Sequence, residues 1–241
     1  MIFQRKWLFY FLYITLLSFP LMQCATTPKV ASTCDGVQIL SQELTPNETE
    51  AYCRYATLER KKVEAFWGTT WERPIRIHVD GSYRISRALV PAYLGNRGFM
   101  EMPLRRVREN TGALLHEIVH IYAPNRNRFL AEGLAVYLQD KMGGNPAFPN
   151  FGKNLNALAL ERASKIKSLQ LLDNVRTPER LGTGSEEKTA YILSGSFVGF
   201  LIEKYGLSQF KNCYETDNYS KIYGKSLEIL EKEWRFSLQG K

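Results

Sequence analysis

Two histidines four residues apart, His116 and His120, enclose Glu117 in the pattern H-E-x-x-H. On an α-helix, residues four apart lie on one face, one turn above each other. Both imidazoles then point the same way and can bind a single metal ion. Glu117 is rotated by about a quarter turn. That puts it beside such a metal rather than on it, where a carboxylate can take a proton from a water that the metal activates. A catalytic zinc has three protein ligands and one open position. The segment Phe129 to Tyr137 offers the third ligand: Glu132 is an acid inside an apolar helical run, a costly place unless it is paired or bound to metal. Between the two segments, Pro124-Asn125-Arg126-Asn127 breaks the helix. A turn of that length lets the second helix fold back, so that Glu132 reaches the metal held by His116 and His120. H-E-x-x-H alone also occurs by chance in helices. Here the chain has three histidines and two of them fall in the motif. An acid in a plausible position downstream is a second, independent coincidence.

The second helix reads Leu130-Ala131-Glu132-Gly133-Leu134-Ala135. Further on come Ala190-Tyr191, Ser194-Gly195-Ser196-Phe197-Val198, Leu201-Ile202 and Lys204-Tyr205-Gly206. Gly224-Lys225-Ser226-Leu227-Glu228, Leu230-Glu231 and Trp234-Arg235 follow. Together with H-E-x-x-H these segments resemble the gluzincin metallopeptidases, in particular the small bacterial peptidase MA-like group. The resemblance spans 75–238, and its first two segments are the specific ones. It implies one Zn2+ per chain held by His116, His120 and Glu132, with Glu117 as the general base of peptide-bond hydrolysis. It also implies that a downstream tyrosine, Tyr191, donates to the oxyanion. The alternative for Tyr191 is packing, since a tyrosine on an amphipathic helix commonly serves the core. One departure stands out: related enzymes often carry an acid one turn after the ligand glutamate, orienting a ligand histidine, and here that position is Val136.

These residues need elements to hold them, and the patterning supplies an α+β frame: a mostly helical, zincin-like body beside a small antiparallel sheet. Leu114, Leu115, Ile118, Val119 and Ile121 cover the other faces of the H-E-x-x-H helix, so it is expected to be buried nearly all round, with Asn110 or Thr111 as its cap. Thr45-Pro46 opens a long helix, with Thr45 as N-cap and proline at the first position, and Gly68 closes it. Pro74 to Asp80 alternates apolar and polar residues, the pattern of a half-buried strand. His78 falls on its polar face, as a surface residue rather than a ligand. Gly98 to Pro103 reads as another strand. In gluzincins the strand at this place is the sheet edge beside the cleft, so the resemblance implies that a peptide could bind there by strand addition. Pro146 to Phe151 is a loop whose two phenylalanines can line a cleft. Helices are expected over 155–163, 186–205, near 207–216 and over 225–238. The polar stretch 176–188 reads as a lid or a plain surface loop.

The N-terminus carries Arg5 and Lys6, then an apolar run from Trp7 to Phe19, a proline break and Cys24. That is the pattern of a secretory signal peptide over 1–23; the run is short of the about 20 apolar residues of a transmembrane helix. Cys24, after Leu21-Met22-Gln23, resembles a bacterial lipoprotein processing site, which implies an exported chain attached to the cell envelope through lipid. Gln23 departs from the usual small residue before that cysteine. Residues 24–44 are expected as a tether or N-terminal segment, with Ala25 to Lys29 as the tether itself, and 45–241 as the metallopeptidase domain. Export permits disulfides, and Cys34 and Cys53, near in sequence across a turn-rich segment, are the favoured pair, leaving Cys213 as a buried thiol. The formal charge of +8 falls by two when Arg5 and Lys6 leave with the leader, and reads as an ordinary basic surface. The chain lacks an arginine stripe interleaved with aromatics, so nucleic-acid binding is not expected. The expected partner is a peptide or protein substrate. Two other readings use the same residues: a surface or periplasmic lipoprotein that binds zinc without turnover, and a hydrolase of cell-wall peptide.

Overall fold

A capping box starts the longest helix. Thr45 Oγ1 accepts the Glu48 N–H at 3.3 Å, and the Glu48 carboxylate accepts the Thr45 N–H at 2.8 Å. This satisfies two of the orphan donors of a helix start. Pro46 sits where its missing N–H is not needed. The helix, α1 (Pro46–Trp67), ends at Gly68 with φ 67, a left-handed position that suits glycine. The computed structural model describes residues 29–70, 72–89, 98–173 and 184–240. The leader, Cys24 and most of the 176–188 stretch lie outside the described residues. Among the described residues, no helix is long and apolar enough to cross a membrane.

Five strands form one sheet: β1 (Val30–Cys34), β2 (Val37–Leu40), β3 (Ile75–Asp80), β4 (Arg87–Leu89) and β5 (Phe99–Pro103), in the order β1-β2-β3-β5-β4. The antiparallel expectation is corrected here, because the sheet is mixed. β2 pairs parallel with β3, and β3 parallel with β5; β1–β2 and β4–β5 are antiparallel. The reason is the long α1, which carries the chain from the end of β2 back to the start of β3, as a parallel pairing requires. Val37, Ile39, Ile75, Ile77, Val79, Met100 and Met102 are buried on one face. Gln38, Arg76, His78 and Glu101 alternate with them on the other, with partial exposure. Two further expectations change. β1 and β2 belong to the sheet, so the folded body begins well before residue 45. Also, β5 is an internal strand, flanked by β3 and β4, and the edge is β4. A disulfide joins Cys34 of β1 to Cys53 of α1, and Cys213 is a buried free thiol.

The helices that follow are α2 (Leu104–Arg108), α3 (Leu114–Tyr122), α4 (Arg128–Lys141), α5 (Leu155–Ala163), α6 (Gln170–Asp173), α7 (Ser185–Tyr205), α8 (Leu207–Thr216), α9 (Tyr219–Tyr223) and α10 (Leu227–Ser237). α3 carries H-E-x-x-H and is buried at every position. Its N-cap is Ala113, with no side-chain cap, rather than Asn110 or Thr111; Asn110 instead occupies a left-handed turn at φ 53. α4 is capped by Asn127, whose side chain accepts the Phe129 and Leu130 N–H groups at 3.0 and 3.4 Å. α3 packs between α1 and α4, and α4 packs along α7. That last contact is close because it is made at glycines. A Cβ on Gly133 would lie 2.6 Å from Val198 Cγ2 and 2.8 Å from the Ser194 carbonyl oxygen, and one on Gly195 would lie 2.5 Å from Val136 Cγ1. The approach brings Glu132, next to Gly133, up against Tyr191, one turn before Gly195.

Candidate metal centre

α3 and α4 meet at their polar positions. His116 Nε2 lies 2.9 Å from Glu132 Oε2, His120 Nε2 lies 3.3 Å from the same oxygen, and the two Nε2 atoms are 3.2 Å apart. All three side chains are buried. A four-coordinate zinc with ligand bonds of about 2.0–2.1 Å sets its ligand atoms roughly 3.3 Å apart. The 3.2 and 3.3 Å sides match that spacing, and the 2.9 Å side is shorter. Two imidazole nitrogens facing each other across 3.2 Å cannot both present lone pairs without a proton or a cation among them. The donor set of two imidazoles and a carboxylate suits zinc, so His116, His120 and Glu132 could hold a metal ion.

The electrostatics agree. Burial opposes the charged form of Glu132, but the facing His120 and His116 outweigh it and hold the carboxyl well below its ordinary range. Glu132 is thus ionised, as a metal ligand must be. Burial pushes His120 down, and the Glu132 charge overcomes it to raise the imidazole above its usual value. A bound cation would take that proton's place. The His116 imidazole makes a second contact, a parallel stack on the Tyr191 ring with centroids 6.3 Å apart. Its Nδ1 is buried without a hydrogen-bond partner among the described residues. Val136 is occupied in packing against Gly195.

Glu117, on the same helix, faces the sheet edge. Its Oε2 accepts the Ala88 N–H of β4 at 2.6 Å, and its charge is felt at His120. Tyr191 is buried beside His116. Its hydroxyl accepts from Arg128 Nη2 at 2.8 Å, and burial, then the Glu132 charge, keep the phenol protonated far above neutral pH. Phe148 of the 146–151 loop packs edge-on against Tyr191 at 5.2 Å, and Phe151 beyond it is half-exposed. His78 is away from this cluster, with Nδ1 2.6 Å from the Tyr83 hydroxyl.

No family model matches the chain, and no curated protein matches it. Among solved structures, the chain is similar to a mutant M1 zinc metallopeptidase from Deinococcus radiodurans, with a TM-score of 0.45 and 15% identity. The match covers 82% of this chain and 48% of that protein. The chain thus spans about half the length of the structure it matches.

Two residues at the centre were not singled out in the sequence. Ala88 acts through its backbone N–H, which no side-chain pattern reveals. Arg128 also holds Glu132, with Nη1 2.6 Å from Oε1. The i, i+4 spacing of Arg128 and Glu132 was the available signal for it.

Proposed function

We propose that this chain is a zinc-dependent peptidase of the gluzincin kind, with His116, His120 and Glu132 as ligands and Glu117 as general base. The observation that carries the reading is the 2.9, 3.2 and 3.3 Å triangle of His116, His120 and Glu132 ligand atoms, with Glu117 adjacent on the same helix. Zinc bound there would supply Lewis-acid polarisation of a peptide carbonyl and would lower the pKa of a water toward neutral, from about 15.7 in bulk. Glu117 has one oxygen held by Ala88; the other takes the proton of the attacking water and later returns it to the leaving amine. Tyr191 receives the Arg128 N–H on its oxygen, which leaves its own O–H to donate to the developing oxyanion. The substrate runs as an added strand along β4, the outer strand among the described residues. Phe148 and Phe151 line the approach.

The test is Glu117→Gln. Hydrolysis of a peptide library is expected to fall by about 100- to 10,000-fold with zinc retained; a variant as active as the parent would remove Glu117 from the mechanism. A second reading, a zinc-binding scaffold without turnover, is favoured by Val136 and by His116 Nδ1, which has no hydrogen-bond partner among the described residues, since a ligand histidine is usually oriented through its other ring nitrogen. Parent protein that binds zinc and cleaves no peptide would establish it. We further propose that the chain is exported and lipid-anchored at Cys24. Processing is then expected to stop under globomycin, and unchanged processing would contradict a lipid anchor.

A further inference from the structure

Arg128 stands where helix physics does not favour it. It is the first residue of α4, and a cation at a helix N-terminus opposes the helix dipole. Its order relative to Glu132, base before acid at i, i+4, is the weaker orientation for such a pair. The contacts show what it does there. Nη1 meets Glu132 Oε1 at 2.6 Å, Nη2 meets the Tyr191 hydroxyl at 2.8 Å, and Nε is buried without a hydrogen-bond partner among the described residues. The two ends of one planar fork are thus split between the third ligand and the oxyanion donor.

Resting on the peptidase reading, we propose that Arg128 is the positioning residue of the site: it occupies Glu132 Oε1 so that only Oε2 is turned toward His116 and His120, and it fixes the Tyr191 hydroxyl by the same rigid group. Free rotation of the carboxylate would let either oxygen, or both, face the imidazoles. The bond to Arg128 removes that freedom before a metal arrives. It also offsets the charge of a carboxylate that is almost wholly buried. For Tyr191, the Arg128 N–H fills one lone pair of the hydroxyl and so directs its proton away from α4. A lysine cannot replace this, because one compact ammonium lacks the two-ended fork.

Zinc affinity of the full chain, measured by chelator competition, separates positioning from mere packing. Arg128→Met is expected to bind zinc roughly 10- to 100-fold more weakly, the usual effect of losing a group that orients a ligand. A purely structural arginine would lower the melting temperature and leave zinc affinity of the folded protein unchanged. Arg128→Lys keeps the charge and guards against a methionine variant that does not fold. It is expected to bind zinc more tightly than Arg128→Met, yet to leave Tyr191 unheld, so that adding Tyr191→Phe lowers kcat no further. Parent-like zinc affinity in Arg128→Met would overturn the proposal. So would a Tyr191→Phe effect on kcat as large in the Arg128→Lys background as in the parent. A parent that binds no zinc would instead overturn the peptidase reading itself, and the positioning role with it.

Discussion

Glu132 and Glu231 are both buried carboxylates on helices, each tied to an arginine one turn away, and the two arginines are nearly equal in exposure, 30% for Arg128 and 28% for Arg235. The pairs differ in what the second oxygen faces. Glu231 Oε2 accepts the Ser168 hydroxyl at 3.0 Å and the Leu169 N–H at 2.9 Å, so every contact on that carboxylate is a donor. Arg235 goes on to the Ala163 and Ile166 carbonyls. Its place in the last turn of α10 and its order after Glu231 are the favourable ones. Glu132 Oε2 faces two imidazole nitrogens instead. The Glu231 cluster is complete as a hydrogen-bond network and fastens α10 to the stretch before α6. The Glu132 cluster instead gathers two imidazole nitrogens and a carboxylate that could hold a metal ion. A buried carboxylate–arginine pair is thus no guide to function until the other oxygen is followed to its partner.

That contrast can be broken at several points. Zinc at a thousand times its dissociation constant is expected to stabilise the parent by about 4 kcal/mol through linkage. The same gain is expected in Glu231→Ala and none in Glu132→Ala, read from thermal melts with and without zinc. Glu231→Ala strands two donors and the Arg235 charge, so it should lower stability by on the order of 2–4 kcal/mol while chelator competition shows parent-like zinc affinity. Gly133→Ala sharpens the comparison from the other side. Its methyl meets Val198 and the Ser194 backbone, so α4 must shift from α7. A loss of about 1–3 kcal/mol is expected together with weaker zinc binding, whereas Glu231→Ala lowers stability alone. The smallest effect is at Glu233, where hydrogen bonds from Lys225, Tyr205 and Lys204 lower the carboxyl from its ordinary 4.5 to about 2. A depressed folded-state value means stability present above the unfolded value and lost as pH falls through the folded one. The difference in melting temperature between parent and Glu233→Gln should therefore shrink between about pH 4.5 and pH 2, and a difference that is constant over that range would discount the Glu233 cluster.

Much of the frame was legible because its determinants are local. Thr45, Pro46 and Gly68 delimit α1 by capping chemistry alone, and the break at Pro124-Asn125-Arg126-Asn127 marks the gap between α3 and α4. The pairing of Cys34 with Cys53 followed from nearness in sequence. The α+β character came from the strand alternation at Ile75–Asp80 and the helical periodicity after it. Strand direction was not legible, because pairing partners are set by where α1 returns the chain, a long-range matter that alternation does not encode. β1 was missed since Val30–Cys34 is largely exposed and short on apolar residues. β4 was missed because three residues carry too little pattern to read. At the site, H-E-x-x-H and Glu132 show themselves by residue type and spacing. Ala88 contributes only its backbone, and Arg128 looks like any helical surface charge until the fold brings Tyr191 to it.

The most direct test of the account is zinc content per chain, measured by elemental mass spectrometry on the purified parent, Glu132→Ala and Glu231→Ala after supply of zinc at neutral pH. About one zinc is expected in the parent and in Glu231→Ala, and far less in Glu132→Ala. A parent without zinc would contradict it, as would equal loss of zinc in the two variants.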